Sequence, residues 1–183
     1  MATMAMPVAI QGIAGCFSAA AAAILQPGAE LLACHSFEDV FAALASGRTQ
    51  RAVVPVENSL VGAIGPVQRL LAASSVRTLG EHTLPIEQCL IVPVHTALAG
   101  VHRLISHPVA LAQCRRFLVR HPEWQAEPFF DTAGSVREAN LRHDTAAIAG
   151  ALAATTYGAR VVEHGIGDRA DNVTRFLLIT PAG

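Results

Sequence analysis

The chain contains no lysine, and all 13 of its basic residues are arginine. Schiff-base and pyridoxal chemistry, a phosphate-loop lysine and a lysine general base are therefore excluded. Every cation is instead a planar fork suited to carboxylates, so small anionic ligands fit this composition. Aromatics are scarce as well, with one Trp and one Tyr, and a net charge of −1 is spread without a basic stripe. That argues against a nucleic-acid partner. Cys16, Cys34, Cys89 and Cys114 lie far apart in apolar surroundings, with no C-x-x-C and no Cys/His zinc spacing, and read as reduced core thiols. The eight histidines are scattered too, so no metal and no cofactor is expected. The Ala-rich run at residues 9–25 lacks a charged region before it, since the first basic residue is Arg48. Gln11, Gly12, Gly15 and Ser18 interrupt that run, which is too short to span a bilayer. The expectation is a cytoplasmic protein with no membrane partner.

What is present is a chain of 183 residues, 52% hydrophobic, with a mean hydropathy of +0.41. That is enough for one generous core or two small lobes. Strands are expected over 7–10, 30–34, 51–56, 84–92, 102–106, 124–130, 145–149, 160–164 and 174–180. Helices are expected over 16–25, 37–46, 60–73, 108–119, 134–142 and 150–157. The alternation predicts an α/β fold with a mostly parallel sheet. Ser36 and Asp39 have the spacing of a capping box, and Gly47 closes that helix. Pro108 suits the first turn of a helix whose Leu111, Cys114, Phe117 and Leu118 form one apolar stripe, with Arg115, Arg116 and Arg120 toward water. Asp131 or Thr132 can cap the helix near Gly134.

Two lobes are expected rather than one. The extended segment 83–94 carries Pro85 and Pro93, which suit a crossing better than a central strand. The polar stretch 163–174 offers a return. Residues 1–83 and 165–183 then make one lobe and 84–164 the other, with a cleft at the crossings, where ligands bind.

Four strand-to-helix junctions carry polar groups. In "VVPVENSLVGAIGPV" a buried strand ends in Glu57, Asn58 and Ser59. These residues face ligand at the carboxyl end of a strand, or Asn58 or Ser59 caps the next helix and Glu57 is a solvated loop acid. In "QGIAGCFSAAAA", Gly12 and Gly15 allow close backbone approach, and the amides of Cys16–Ser18 can receive a carboxylate; the spacing is not that of a dinucleotide loop. Ser106 in "LISHPVALAQC", and Thr132 and Ser135 in "FFDTAGSVREA", occupy equivalent junctions in the second half. Finally, "DNVTRFLLIT" starts the last strand with Thr174 and Phe176 on one face and Arg175 on the other.

Taken in order, "VAIQGIAGCFS", "VPVENSLVGAI", "SHPVALAQC", "DTAGS", "AAIAGALAATTYG" and "DNVTRFLLIT" resemble prephenate dehydratase along nearly the whole chain. The resemblance implies two α/β lobes like a type II periplasmic binding protein, an active site in the interlobe cleft, prephenate as substrate, and a homodimer or homotetramer. It ties catalysis to Thr174 of the "TRF" motif, with Arg175, Phe176 and Glu57 beside it. A Thr hydroxyl is a weak acid, so Thr174 is expected to donate a hydrogen bond to the leaving oxygen; Glu57 is the other donor if burial keeps it protonated. Arg175 binds a carboxylate or braces the site from behind, and strand alternation favours bracing. Asn58, Ser59, Ser106, Gln113, Thr132 and Ser135 are implied as neutral donors. Gly12 and Ser18, His107, and Ala133 with Gly134 complete the implied substrate contacts.

The chain departs from the family pattern at Ala14, Cys16 and Val109, and it ends at Gly183 without a regulatory ACT domain, so feedback inhibition by phenylalanine is expected to be absent. Related activities stay open. They are arogenate dehydration, non-aromatising decarboxylation, against which the intact "TRF" stands, and non-catalytic binding of a small anion.

Overall fold

Val8–Gln11 form strand β1, and the chain then turns at Gly12 with a φ of +108°, a conformation open to glycine. The computed structural model describes residues 7–182. Helix α1 (Phe17–Leu25), strand β2 (Leu31–Cys34) and helix α2 (Phe37–Ala45) follow. The capping box at α2 is complete: the Asp39 amide donates to Ser36 Oγ at 3.1 Å, and the Ser36 amide to Asp39 Oδ2 at 3.2 Å. Strand β3 (Arg51–Asn58), the short β4 (Gly62–Ala63), helix α3 (Gly65–Ala73) and strand β5 (Val76–Pro85) complete this stretch. The helix expected from residue 60 starts only at Gly65. Asn58 Oδ1 gathers the amides of Leu60 and Val61 into a turn, and β4 then pairs with β3.

The middle of the chain holds β6 (Cys89–Pro93), a 3₁₀ turn at Leu98–Gly100, β7 (Arg103–Ser106), α4 (Pro108–Gln113) and α5 (Arg115–Arg120). β8 (Gln125–Pro128), α6 (Thr132–Ala139), β9 (Thr145–Ala149), α7 (Ala151–Tyr157) and β10 (Ala159–Glu163) come next, and β11 (Val173–Pro181) is the last strand. The single helix expected over 108–119 is broken at Cys114. Asp168 causes the break by donating its amide to the Gln113 carbonyl at 2.6 Å and accepting the Arg116 amide on Oδ1 at 2.8 Å. The stripe itself survives, with Cys114 and Phe117 fully buried and Arg115, Arg116 and Arg120 exposed.

Two compact units result: Met1–Pro85 with Asn172–Gly183, and Ile86–Asp171. Residues 165–171 pack with the second unit, not with the first lobe as expected, because Ile166 bonds the Gln88 carbonyl and Asp168 bonds the α4–α5 junction. The first unit carries the sheet β2-β1-β3-β11-β5, with β4 on β3; the second carries β10-β6-β9-β7-β8. Neither sheet is mostly parallel. β1 pairs parallel with β2 and β3, and β7 with β8 and β9, but β11 runs antiparallel between β3 and β5, and β6 antiparallel between β10 and β9. The reversed strands β6 and β11 are the first strands formed after each passage of the chain from one unit to the other.

Each unit has its own core. Val40, Phe41, Val54, Val67 and Ile179 are among the buried side chains of the first, and Leu90, Leu104, Phe117 and Ile148 of the second. Cys34, Cys89 and Cys114 are buried, whereas Cys16 is partly exposed. Burial pushes the Cys89 thiol from the ordinary 9.0 up to about 11, with the Glu87 charge adding to it, and the Cys114 thiol up to about 12; Cys34 is also raised.

Replacing Ser36 with Ala removes the cap of α2 and lowers stability by about 1 kcal/mol in denaturant unfolding. The unfolded thiols ionise near pH 9 while the folded ones stay protonated. Their contribution is therefore complete below that pH and is lost as pH rises through about 11 to 12, and the unfolding midpoint should fall steadily above pH 9. A thiol reagent at pH 8 should label native protein at Cys16 alone at an appreciable rate, and all four cysteines after denaturation.

Candidate active site

Asn58, the last residue of β3, is 8% exposed and uses both ends of its carboxamide. Because Oδ1 accepts from the Leu60 and Val61 amides at 3.0 and 3.2 Å, Nδ2 has to face β11. There its two hydrogens are shared among three acceptors, Asn172 Oδ1 at 2.7 Å, Thr174 Oγ1 at 2.9 Å and the Val173 carbonyl at 3.1 Å. Thr174 and Asn172 are buried with it. Since Oγ1 accepts from Asn58, the hydroxyl hydrogen points elsewhere, and among the described residues no acceptor takes it. The bond received at Oγ1 also polarises the hydroxyl and strengthens it as a donor.

The alignment of these residues depends on a bulge. Thr174 lies opposite Asn58 and Arg175 opposite Glu57, but Phe176 lies opposite Pro55, so β3 carries one extra residue here. Pro55 has no amide hydrogen for a ladder bond, and prolines inside sheets are found at such bulges. Ser59 fastens the same end, donating its amide to the Val173 carbonyl at 2.9 Å and accepting the Val173 amide on Oγ at 3.0 Å. Neither Asn58 nor Ser59 caps α3, whose first turn has no side-chain cap.

Phe176 is buried on the same face as Thr174. Arg175, on the other face, reaches Glu57 Oε2 at 3.3 Å and Glu81 Oε2 at 3.4 Å. The Glu57 side chain is 55% exposed. The burial expected for Glu57 is therefore missing, because strand alternation gives the buried face to Asn58. At the β1–α1 junction, Gly12 donates its amide to the Cys34 carbonyl at 2.9 Å, and Cys16 Sγ accepts the Ala19 amide at 3.4 Å as the cap of α1. Buried Ser18 sits in the first turn.

In the second unit the polar junctions divide by use. Ser106 is fully buried and donates its hydroxyl to the Ile148 carbonyl at 2.6 Å; Ser135 is fully buried and donates to the Thr132 carbonyl at 2.5 Å. Each serine has one hydroxyl hydrogen, so these two tie β7 to β9 and α6 to itself and are not donors to a ligand. His107 caps α4 through Nδ1, which accepts the Val109 amide at 3.2 Å. Gln113 Oε1 accepts from Gln88 Nε2 at 3.2 Å, which fixes that carboxamide's orientation. Asp131, rather than Thr132, caps α6 by accepting the Gly134 amide, with buried Ala133 and Gly134 in the first turn. Asn172 and Glu81 were missed by the reading of site residues. Period-two spacing from Thr174 places Asn172 on the buried face; no comparable sequence signal identifies Glu81, whose pairing with Arg175 arises across β5 and β11.

A family model for prephenate dehydratase matches residues 8–182. Arogenate dehydratase 5 of Arabidopsis thaliana, which is chloroplastic, is 41% identical over 175 residues, covering 94% of this chain and 41% of the relative. The prephenate dehydratase of Arthrobacter aurescens in complex with L-Phe superposes with a TM-score of 0.84 at 28% identity, over 97% of this chain and 61% of that one. GqqA, described as a novel type of quorum-quenching acylase, superposes with a TM-score of 0.83 at 34% identity, over 94% and 63%. The chain thus spans 41% of the length of the plant relatives it first matches. With its described residues matched almost end to end, the chain belongs to the prephenate dehydratase family.

Proposed function

We propose that this chain catalyses the decarboxylative dehydration of prephenate to phenylpyruvate, CO2 and water, a step in phenylalanine biosynthesis. In that reaction the bond from the ring to its carboxylate breaks, the electron pair enters the ring, and the ring hydroxyl departs with a proton as water. Aromatisation supplies the driving force, so the protein orients the dianion and assists the leaving oxygen. The carrying observation is Thr174 Oγ1, buried and hydrogen-bonded by Asn58, with its own hydrogen available to the departing oxygen. Asn58 stabilises the charge that builds on Oγ1 as that hydrogen is shared. Glu57 and Glu81 hold Arg175 and act by positioning.

For the carboxylates, the reading relies on neutral groups. The first-turn amides of α1 near Phe17 and Ser18, with Gly12 beside them, suit the pyruvyl carboxylate. A neutral setting suits the carboxylate that is lost, because a tight ion pair there would stabilise the ground state. The 41% identity to an arogenate dehydratase makes arogenate the second substrate to test. An acyl-transfer role would need a base accepting the Thr174 hydrogen, and among the described residues there is none. A cytoplasmic homodimer or homotetramer, with no nucleic-acid or membrane partner, belongs to the same reading. Charge spread without a basic stripe stands against a nucleic-acid partner, and among the described residues no helix is long and apolar enough to cross a membrane.

Incubation of the protein with prephenate at neutral pH should yield phenylpyruvate by NMR, at a rate well above the spontaneous reaction. A non-aromatic decarboxylated product, or no turnover of prephenate and arogenate, would overturn the assignment. Thr174→Ala should lower kcat by about 100-fold or more with little change in KM. Asn58→Asp keeps the shape but turns the donor into an acceptor that captures the Thr174 hydrogen, so kcat should fall about as far. Unaltered turnover in either variant would remove Thr174 from the mechanism.

A further inference from the structure

A second polar cluster lies in the Ile86–Asp171 unit, where β6 begins and β10 ends. Glu87 and Cys89 are two residues apart in an extended segment, so their side chains share a side. The β6–β10 pairing slips between Val161 and Glu163, and the chain beyond His164 turns at Gly165 with a φ of +63°. The Ile166 amide then bonds the Gln88 carbonyl at 3.0 Å, which holds the turn against the start of β6. As a result His164 Nδ1 stands 3.2 Å from Glu87 Oε2 and 3.5 Å from Cys89 Sγ, and Cys89 Sγ stands 3.8 Å from Glu87 Oε2.

These separations match the edges of a metal tetrahedron. With zinc bonds of about 2.3 Å to sulfur and about 2.0–2.1 Å to nitrogen or oxygen, neighbouring ligands in a tetrahedral site are about 3.6 Å apart for S···N and S···O and about 3.3 Å apart for N···O. Each separation here lies within about 0.3 Å of that geometry. A thiolate and a carboxylate balance the charge of a divalent ion, and imidazole completes a donor set of borderline softness suited to zinc. Cys89 is fully buried, while the Glu87 and His164 side chains are 51% and 62% exposed, so an ion can enter from solvent and anchor on a fixed sulfur.

We infer that Glu87, Cys89 and His164 form a site for a zinc-class divalent cation, with water in the fourth position. The ion would clip the start of β6 to the end of β10. No metal motif is readable in the sequence because the third ligand lies 75 residues from the second. The site shares no residue with the Thr174 cluster and does not depend on the proposed activity.

The test uses the whole protein after dialysis against a chelator. Zn2+ titrated in competition with a chromophoric chelator should bind at one equivalent. Co2+ should give the strong visible bands of a four-coordinate ion together with a thiolate-to-cobalt charge-transfer band. His164→Ala and Glu87→Gln alter exposed side chains and should each weaken zinc binding at least tenfold, while Cys89→Ser should abolish the charge-transfer band. Cys114→Ser, a buried thiol outside the cluster, should leave both readouts unchanged. A weak octahedral cobalt spectrum without the thiolate band, or zinc affinity indifferent to His164→Ala and Glu87→Gln, would overturn the inference, and the three side chains would then be a hydrogen-bonded trio.

Discussion

The carboxamide of Asn58 joins more of the first unit than any other polar side chain described. Its oxygen shapes the turn after β3, and its nitrogen binds the start of β11 at Asn172, Val173 and Thr174. A buried primary amide is stabilising only when both ends are paired, because each orphaned donor or acceptor costs about 1–3 kcal/mol. Here the pairing is complete, so the geometry of the turn, the register of β11 and the direction of the Thr174 hydroxyl are one constraint. The bulge at Pro55 serves the same arrangement by bringing Thr174 level with Asn58.

Where the sequence carried strong local signals, the structure agrees closely. Apolar runs located β1, β3, β9 and β11, and the Ser36/Asp39 spacing located the start of α2. β5 was not legible, because Arg77, Thr78, Glu81, His82 and Thr83 make it polar. An edge strand with much of its surface in water needs no hydrophobic run. The sheet direction was misjudged for a different reason. Alternating elements imply right-handed parallel crossovers only while the chain stays within one unit, and β6 and β11 are laid down after it has passed from one to the other.

The polar strand-to-helix junctions were legible in their location and less so in their hydrogen bonding. Small hydroxyl residues at strand-to-helix junctions were identified from spacing alone, but spacing does not say where a hydroxyl hydrogen goes. Ser106 and Ser135 give theirs to backbone carbonyls, and Thr174 receives a bond and keeps its own. Glu57 and Asn58 are neighbours in sequence and opposite in environment, one ion-paired at the surface and the other in the interior. Strand periodicity distinguishes such a pair once the strand end is known, and that end was placed two residues early, at residue 56 rather than Asn58.

The position of β11 bears on how the protein can be made. The Ile86–Asp171 unit is one unbroken stretch, whereas the other unit combines the first part of the chain with the last. β11 fills the gap between β3 and β5, hydrogen-bonding along both. During synthesis β3 and β5 leave the ribosome early, each with an open edge that only residues 173–181 can cover. The continuous unit can thus finish folding while its discontinuous neighbour still waits, and in that interval exposed strand edges invite pairing with other chains. A polar, half-exposed β5 is the sort of edge that best tolerates such a delay.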